Sequence, residues 1–172
     1  MRRTGEVYRA HHPRWAYLPA SGRGAALYGG RFNPKGMEAL YTARRLETAW
    51  LEAQQAFPFK AQPMTVCTYE VDCEDVLDLT DQAELDRLGV TAADLSCPWE
   101  RIASGGQAPP TWSLARRLFA DGMAGILVRS FAPGASAADV NAVFWRWSDR
   151  PPHQVRVVDD RGRLPRDDRS WR

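Results

Sequence analysis

Helical periodicity is clearest in one place in this sequence. Over residues 44–57, Leu46, Ala49, Trp50, Ala53 and Phe57 recur at spacings of three and four, giving one apolar stripe, and Pro58 ends the run. Around it, most apolar runs are short, rich in β-branched and aromatic residues, and closed by glycine or proline. Residues 6–10, 37–42, 64–71, 76–79, 124–129, 140–147 and 154–158 read as strands. Shorter helices are expected over 81–88, closed by Gly89, over a turn from Thr91 to Leu95, and over 114–120 with Thr111 or Ser113 as cap. Residues 19–26 and 97–110 read as loops from their glycine and proline content. Strands and helices do not alternate regularly, which argues against a doubly wound parallel sheet. The pattern predicts a compact single α+β domain with a mostly antiparallel β core and flanking helices. A length of 172 residues suits one such core. The domain is expected over 1–158. Residues 159–172, with five arginines and four aspartates, read as a charged C-terminal tail.

Composition narrows the function classes. A formal net charge of +2 lacks the basic excess of an electrostatic nucleic-acid binder. Cys67, Cys73 and Cys97 form no C-x-x-C pair, so neither a disulfide framework nor a cysteine zinc site is expected, and a reducing compartment is. His11, His12 and His153 show no metal-binding spacing, and no metal is expected. No apolar stretch approaches the ~20 residues that span a bilayer, so the expectation is a cytoplasmic protein without membrane attachment. Trp145 and Trp147 share strand parity and are expected to pack one sheet face; Trp99 and Trp112 are expected to fix the long loop.

Chemistry concentrates between Gly29 and Glu52. Gly29-Gly30-Arg31 is compatible with a plain tight turn, or with a backbone that approaches a ligand while Arg31 grips a phosphate. The spacing is neither a dinucleotide-binding fingerprint nor a Walker A loop. Tyr41, at a strand end, suits either core packing or contact with a planar ring. Glu52 falls on the shoulder of the 44–57 stripe, beside Ala49 and Ala56, and suits either an exposed charge or, with small side chains leaving room, a carboxylate that faces a sugar. Glu47 lies on the opposite shoulder among ordinary neighbours and ranks below it. Ser130, after an apolar strand, suits a loop or a site.

Taken together, Tyr8-Arg9-Ala10, Gly29-Gly30-Arg31-Phe32-Asn33-Pro34-Lys35-Gly36, Leu40-Tyr41-Thr42-Ala43 and Thr48-Ala49-Trp50-Leu51-Glu52 resemble the RES domain family, the toxins of Xre–RES type II toxin–antitoxin modules. Gly125-Ile126-Leu127-Val128-Arg129-Ser130 and Asn141-Ala142-Val143-Phe144 resemble its later strands. Many relatives carry Trp at position 32, Pro at 35 and Ser at 43, and Pro before the serine at 130. The resemblance implies an ADP-ribosyltransferase-like fold and NAD+ as substrate, with the nicotinamide–ribose bond broken by water or phosphate, or ADP-ribose passed to a protein. It implies that Arg31 holds the pyrophosphate or orients NAD+, with Gly30 and Phe32 beside it. Tyr41 would flank the nicotinamide ribose, Glu52 would stabilise the ribosyl cation, and Ser130 would fix the ribose or the glutamate. The implied partner is an Xre-like helix-turn-helix antitoxin, which would itself carry the DNA contact. A binding module that leaves NAD+ intact is the reading of a different class.

Overall fold

The structure is a computed structural model and describes residues 1–54 and 62–171. Among these residues seven strands form one sheet: β1 (Arg3–His11), β2 (Leu40–Ala43), β3 (Thr65–Cys73), β4 (Val76–Asp78), β5 (Gly125–Arg129), β6 (Val140–Phe144) and β7 (His153–Val157). Their order is β4-β5-β6-β2-β1-β3-β7. Only β4 and β5 run parallel; every other pair is antiparallel, as the irregular strand–helix order predicts. The longest pairing, β1 with β3, runs from Arg3 opposite Cys73 to His11 opposite Thr65. Along β3, Cys67, Tyr69, Val71 and Cys73 are all buried, the period-2 pattern of a strand with one inward face. The Gly-Ile-Leu-Val run of β5 is buried on both faces. Leu127 joins a core with Tyr69 and Phe144, while Ile126 and Val128 join a second core with Leu114 and Leu118.

Among the described residues six α-helices flank the sheet: α1 (Arg23–Tyr28), α2 (Leu46–Gln54), α3 (Gln82–Leu88), α4 (Ala92–Leu95), α5 (Trp99–Ser104) and α6 (Pro110–Ala120). α3 begins at Asp81, whose side chain accepts from the Ala83 N–H, and ends at Gly89 in the left-handed region. α4 carries a reciprocal capping box between Thr91 and Asp94. Three expectations are corrected. α1 takes in residues 23–26 of the expected loop 19–26, and α5 occupies part of the expected loop 97–110. The sixth helix starts at Pro110 after Pro109, not behind a Thr111 or Ser113 cap. Proline suits the first helical position because the N–H it lacks has no partner there anyway.

The aromatic expectation changes too. β6 ends at Phe144, and the N–H groups of both Trp145 and Arg146 converge on the Ala124 carbonyl. Strand parity is lost at that bend. Trp145 is buried in the core with Phe32, donating to the Phe32 carbonyl (2.9 Å), whereas Trp147 packs against the other core and donates to the Ala20 carbonyl (2.9 Å).

The facing of α2 is the largest departure. Leu46 and Trp50 are 49% and 41% exposed, and the buried residues are Thr48 and Ala49. α2 packs chiefly on β1 and also meets β2 and β6. Its inward face is the small and polar set Thr48, Ala49, Glu52 and Ala53, with the bulky apolar stripe turned outward. The expected helix end at 55–57, with Ala56 and Pro58, lies outside the described residues. Among the described residues no helix is long and apolar enough to cross a membrane.

Candidate active site

The glycine-rich turn is built from within. α1 ends at Gly29, whose φ of 77° lies in the region that favours glycine. The backbones of Gly30 and Asn33 then bridge each other (Gly30 N to Asn33 O, 2.9 Å). Asn33 is fully buried, and its amide donates to the carbonyls of Ala25 (2.8 Å), Pro34 (3.2 Å) and Met37 (2.9 Å). The Tyr41 hydroxyl donates to Asn33 Oδ1 (2.7 Å) and accepts from the Phe32 N–H (2.9 Å). Burial raises the pKa of Tyr41, which keeps the phenol protonated as a donor. A Cβ at Gly30 would stand 2.5 Å from the Tyr41 oxygen and 2.6 Å from Asn33 Oδ1. The close approach that needs glycine here is therefore internal, between the turn and the Tyr41–Asn33 pair.

This frame aims Arg31 across the molecule. One terminal nitrogen donates to the carbonyls of Cys97 (2.6 Å) and Leu95 (3.2 Å), and the guanidinium lies 4.7 Å from the centre of the Phe131 ring. Burial lowers its pKa from the ordinary value, against the attraction of Cys97, Glu52 and Tyr41. The Trp112 indole donates to the Gly30 carbonyl (2.7 Å) and fixes the turn from the α6 side.

Glu52 approaches from α2. Ser130, directly after β5, donates to Glu52 Oε1 (2.6 Å), and Asn141 of β6 donates to the same oxygen (2.5 Å). Asn141 reaches that point because β2 and β6 pair with Ala43 opposite Asn141. Its Oδ1 is buried without a hydrogen-bond partner among the described residues. Asp139 ties these parts together. Its carbonyl accepts from the Ser130 N–H (2.7 Å), and its carboxylate accepts from Thr48 Oγ1 (2.6 Å), one helical turn before Glu52, and from the N–H and hydroxyl of Ser136 (both 2.8 Å).

The hydrogen bond from Thr48, then those from Ser136, hold the Asp139 carboxyl down to about 2. A depressed carboxyl adds stability above its unfolded value, about 3.9, and that contribution disappears as pH falls through the folded value. Asp139→Asn is therefore expected to lower the thermal midpoint at pH 7. It is also expected to flatten the fall in midpoint between about pH 4 and about pH 2. Thermal scans across that window check this.

Gly30, Arg31, Phe32, Tyr41, Glu52 and Asn141 all line one cleft of about 670 Å³. A recess of about 300 Å³ beneath α2, with Tyr8, His11, Ala49 and Ala53 in its wall, shares Arg9, Tyr41, Glu52 and Asn141 with it. Ser130 stands behind Glu52 as its hydrogen-bond donor. Glu47 is turned away: its side chain is 71% exposed and pairs with Arg45 at 3.5 Å. Sequence reasoning assigned no role to Asn141, Asp139, Thr48 or Asn33. The one signal present was Thr48 four residues before Glu52, a spacing that puts both on one helical face. Among the described residues no group of three or more His, Cys, Asp or Glu side chains could hold a metal ion.

An acidic group fixed by two donors, opposite a cation and a buried phenol, defines a cleft suited to a sugar substrate with an anionic arm. The fold is similar to that of a chain in the crystallised M. tuberculosis MbcT–MbcA toxin–antitoxin complex. The TM-score is 0.65 and the identity 21%, over 92% of this chain and 84% of that one. A search of curated proteins finds no match. The RES domain model matches residues 6–167, nearly the whole sequence, and the chain belongs to the RES domain family.

Proposed function

We propose that this chain is an NAD+-degrading toxin that cleaves the nicotinamide–ribose bond. The observation that carries the reading is the Glu52 carboxylate, held by Ser130 and Asn141 in the same cleft as Arg31 and Tyr41. Membership of the RES domain family supports it, as does the likeness to a toxin–antitoxin complex chain.

The chemistry needs positioning more than activation. Nicotinamide bound as a cation is already a good leaving group. When its bond to ribose C1′ breaks, both electrons go to the ring nitrogen and positive charge develops on the ribose. A fixed carboxylate facing C1′ stabilises that charge without reorganising. Water adds through its oxygen and loses a proton, giving ADP-ribose; phosphate adds through an oxygen, giving ADP-ribose 1″-phosphate. Arg31 supplies positive charge for the pyrophosphate, and Asn141 holds the Glu52 carboxylate through its amide N–H. Transfer of ADP-ribose to a protein would use the same residues.

Incubation with labelled NAD+, with and without phosphate, separates these acceptors. Free nicotinamide with ADP-ribose or its phosphate supports the reading, label on a polypeptide favours transfer, and bound but intact NAD+ opposes both. Ser130→Ala is expected to lower kcat by about 10-fold, the scale of one lost charge-assisted hydrogen bond, with KM little changed; steady-state kinetics check this. As a toxin the chain would act in the cytoplasm and be neutralised by an antitoxin carrying a helix-turn-helix. A small helix-turn-helix reading frame beside the gene is expected.

A further inference from the structure

The cleft continues past Arg31. Beyond the turn it opens into a groove of about 720 Å³, and the two share Tyr28, Gly29, Trp99 and Glu100 in their walls. The groove is unlike the recess beneath α2. It is walled by the indoles of Trp99 and Trp112, 6.5 Å apart and inclined at 45°, with Tyr28, 76% exposed, at the rim. It also carries Lys35 and Arg116, which are exposed and have no ion pair or hydrogen bond among the described residues. Glu100 is the one carboxylate among its described lining residues.

Two unlike ends thus flank Glu52 and Arg31. The recess under α2 has the volume of a small site and contributes short side chains from Ala49 and Ala53. The far groove offers aromatic faces, which suit a planar base, and unpaired cations, which suit phosphate. We propose that the groove of Tyr28, Lys35, Trp99 and Arg116 binds the adenosine diphosphate end of the substrate, so that NAD+ lies with nicotinamide in the recess under α2 and adenine against Trp99. This orientation rests on the NAD+ reading above. Lys35 and Arg116 would meet the phosphates on the side away from Arg31, and Glu100 stands where it can accept from a hydroxyl of the adenosine ribose. Trp112, whose N–H holds the Gly30 carbonyl, ties the groove wall to the Arg31 turn.

Nicotinamide mononucleotide contains the same scissile bond and lacks the adenylate, so it separates the groove from the reacting centre. The test compares kcat/KM for NAD+ and for the mononucleotide in the wild-type chain and in Lys35→Ala/Arg116→Ala. It adds the affinity of both proteins for ADP by tryptophan fluorescence. The double variant is expected to lose about tenfold or more of the preference for NAD+ over the mononucleotide, through KM rather than kcat, and to bind ADP about tenfold or more weakly. An unchanged preference together with unchanged ADP affinity overturns the assignment while leaving NAD+ cleavage standing. If the wild-type chain cleaves neither compound, the NAD+ reading fails, and the two ADP affinities alone decide the groove.

Discussion

Glu52→Gln is expected to lower kcat for NAD+ cleavage by about 10²–10³-fold, the cost of removing one group preorganised for transition-state charge. The amide keeps the shape of the carboxylate, and its carbonyl oxygen can still accept from Ser130 and Asn141, which both converge on Oε1. The substitution removes the negative charge that the proposed mechanism sets against C1′. The midpoint of thermal unfolding should therefore move by no more than a few degrees, on the order of 1 kcal/mol for a domain of this size. KM should change little, because the charge Glu52 opposes develops fully only as the bond breaks. Glu47→Gln is the matched control. That side chain is mostly exposed and is turned away from the cleft, so kcat should stay within twofold, on the order of a surface substitution. Nicotinamide release under saturating NAD+ checks both variants.

Arg31→Ala is expected to act on binding and on the fold together. Removing the guanidinium takes a cation from the cleft, takes that donor from the Leu95 carbonyl and leaves the Cys97 carbonyl with the Trp99 N–H. The first effect is expected to lower kcat/KM by about 10- to 100-fold, mostly through KM, as for a lost charged hydrogen bond to phosphate. The second should cost about 1–3 kcal/mol of stability. Arg31→Lys would restore charge without the planar fork or its stacking on Phe131. It is expected to recover part of the stability and less of the affinity. Denaturant unfolding beside steady-state kinetics separates the two effects. Equal kcat/KM for the wild type and Arg31→Ala would remove Arg31 from the substrate site and leave it a loop anchor.

The sheet was legible in the sequence because its strands carry a local signal. β3 alternates inward Cys67, Tyr69, Val71 and Cys73, and the continuous apolar run of β5 marks a strand buried on both faces. The short helices α3 and α4 were legible from the Gly89 stop and the Thr91 cap, but α1 and α5 were not. α1 and α5 span six residues each, too few turns for periodicity to register above their glycine and proline surroundings. α2 was found, but its facing departs from its pattern. Its apolar stripe through Leu46 and Trp50 would ordinarily turn inward, yet Glu52 and its small neighbours face the cleft instead. A segment serving a site breaks the local rule.

The candidate site divides in the same way. Arg31, Tyr41 and Glu52 lie within one segment, and the structure brings all three to one cleft. Asn141 and Asp139 depend on register and loop closure roughly ninety residues away from α2. A one-residue slip between β2 and β6 would turn Asn141 to the other face. Tyr41 adds a different lesson. Its hydroxyl serves the turn through Asn33 and the Phe32 N–H, so its place in the cleft wall and its structural role coincide.

The most direct test of the central claim is nicotinamide release from NAD+ by the purified wild-type chain beside Glu52→Gln, measured with and without phosphate. The account predicts nicotinamide formed in step with NAD+ loss in the wild type, and a rate lower by about 10²-fold or more in the variant. NAD+ left intact by a folded wild-type chain under both conditions, or equal rates in the two proteins, would contradict it.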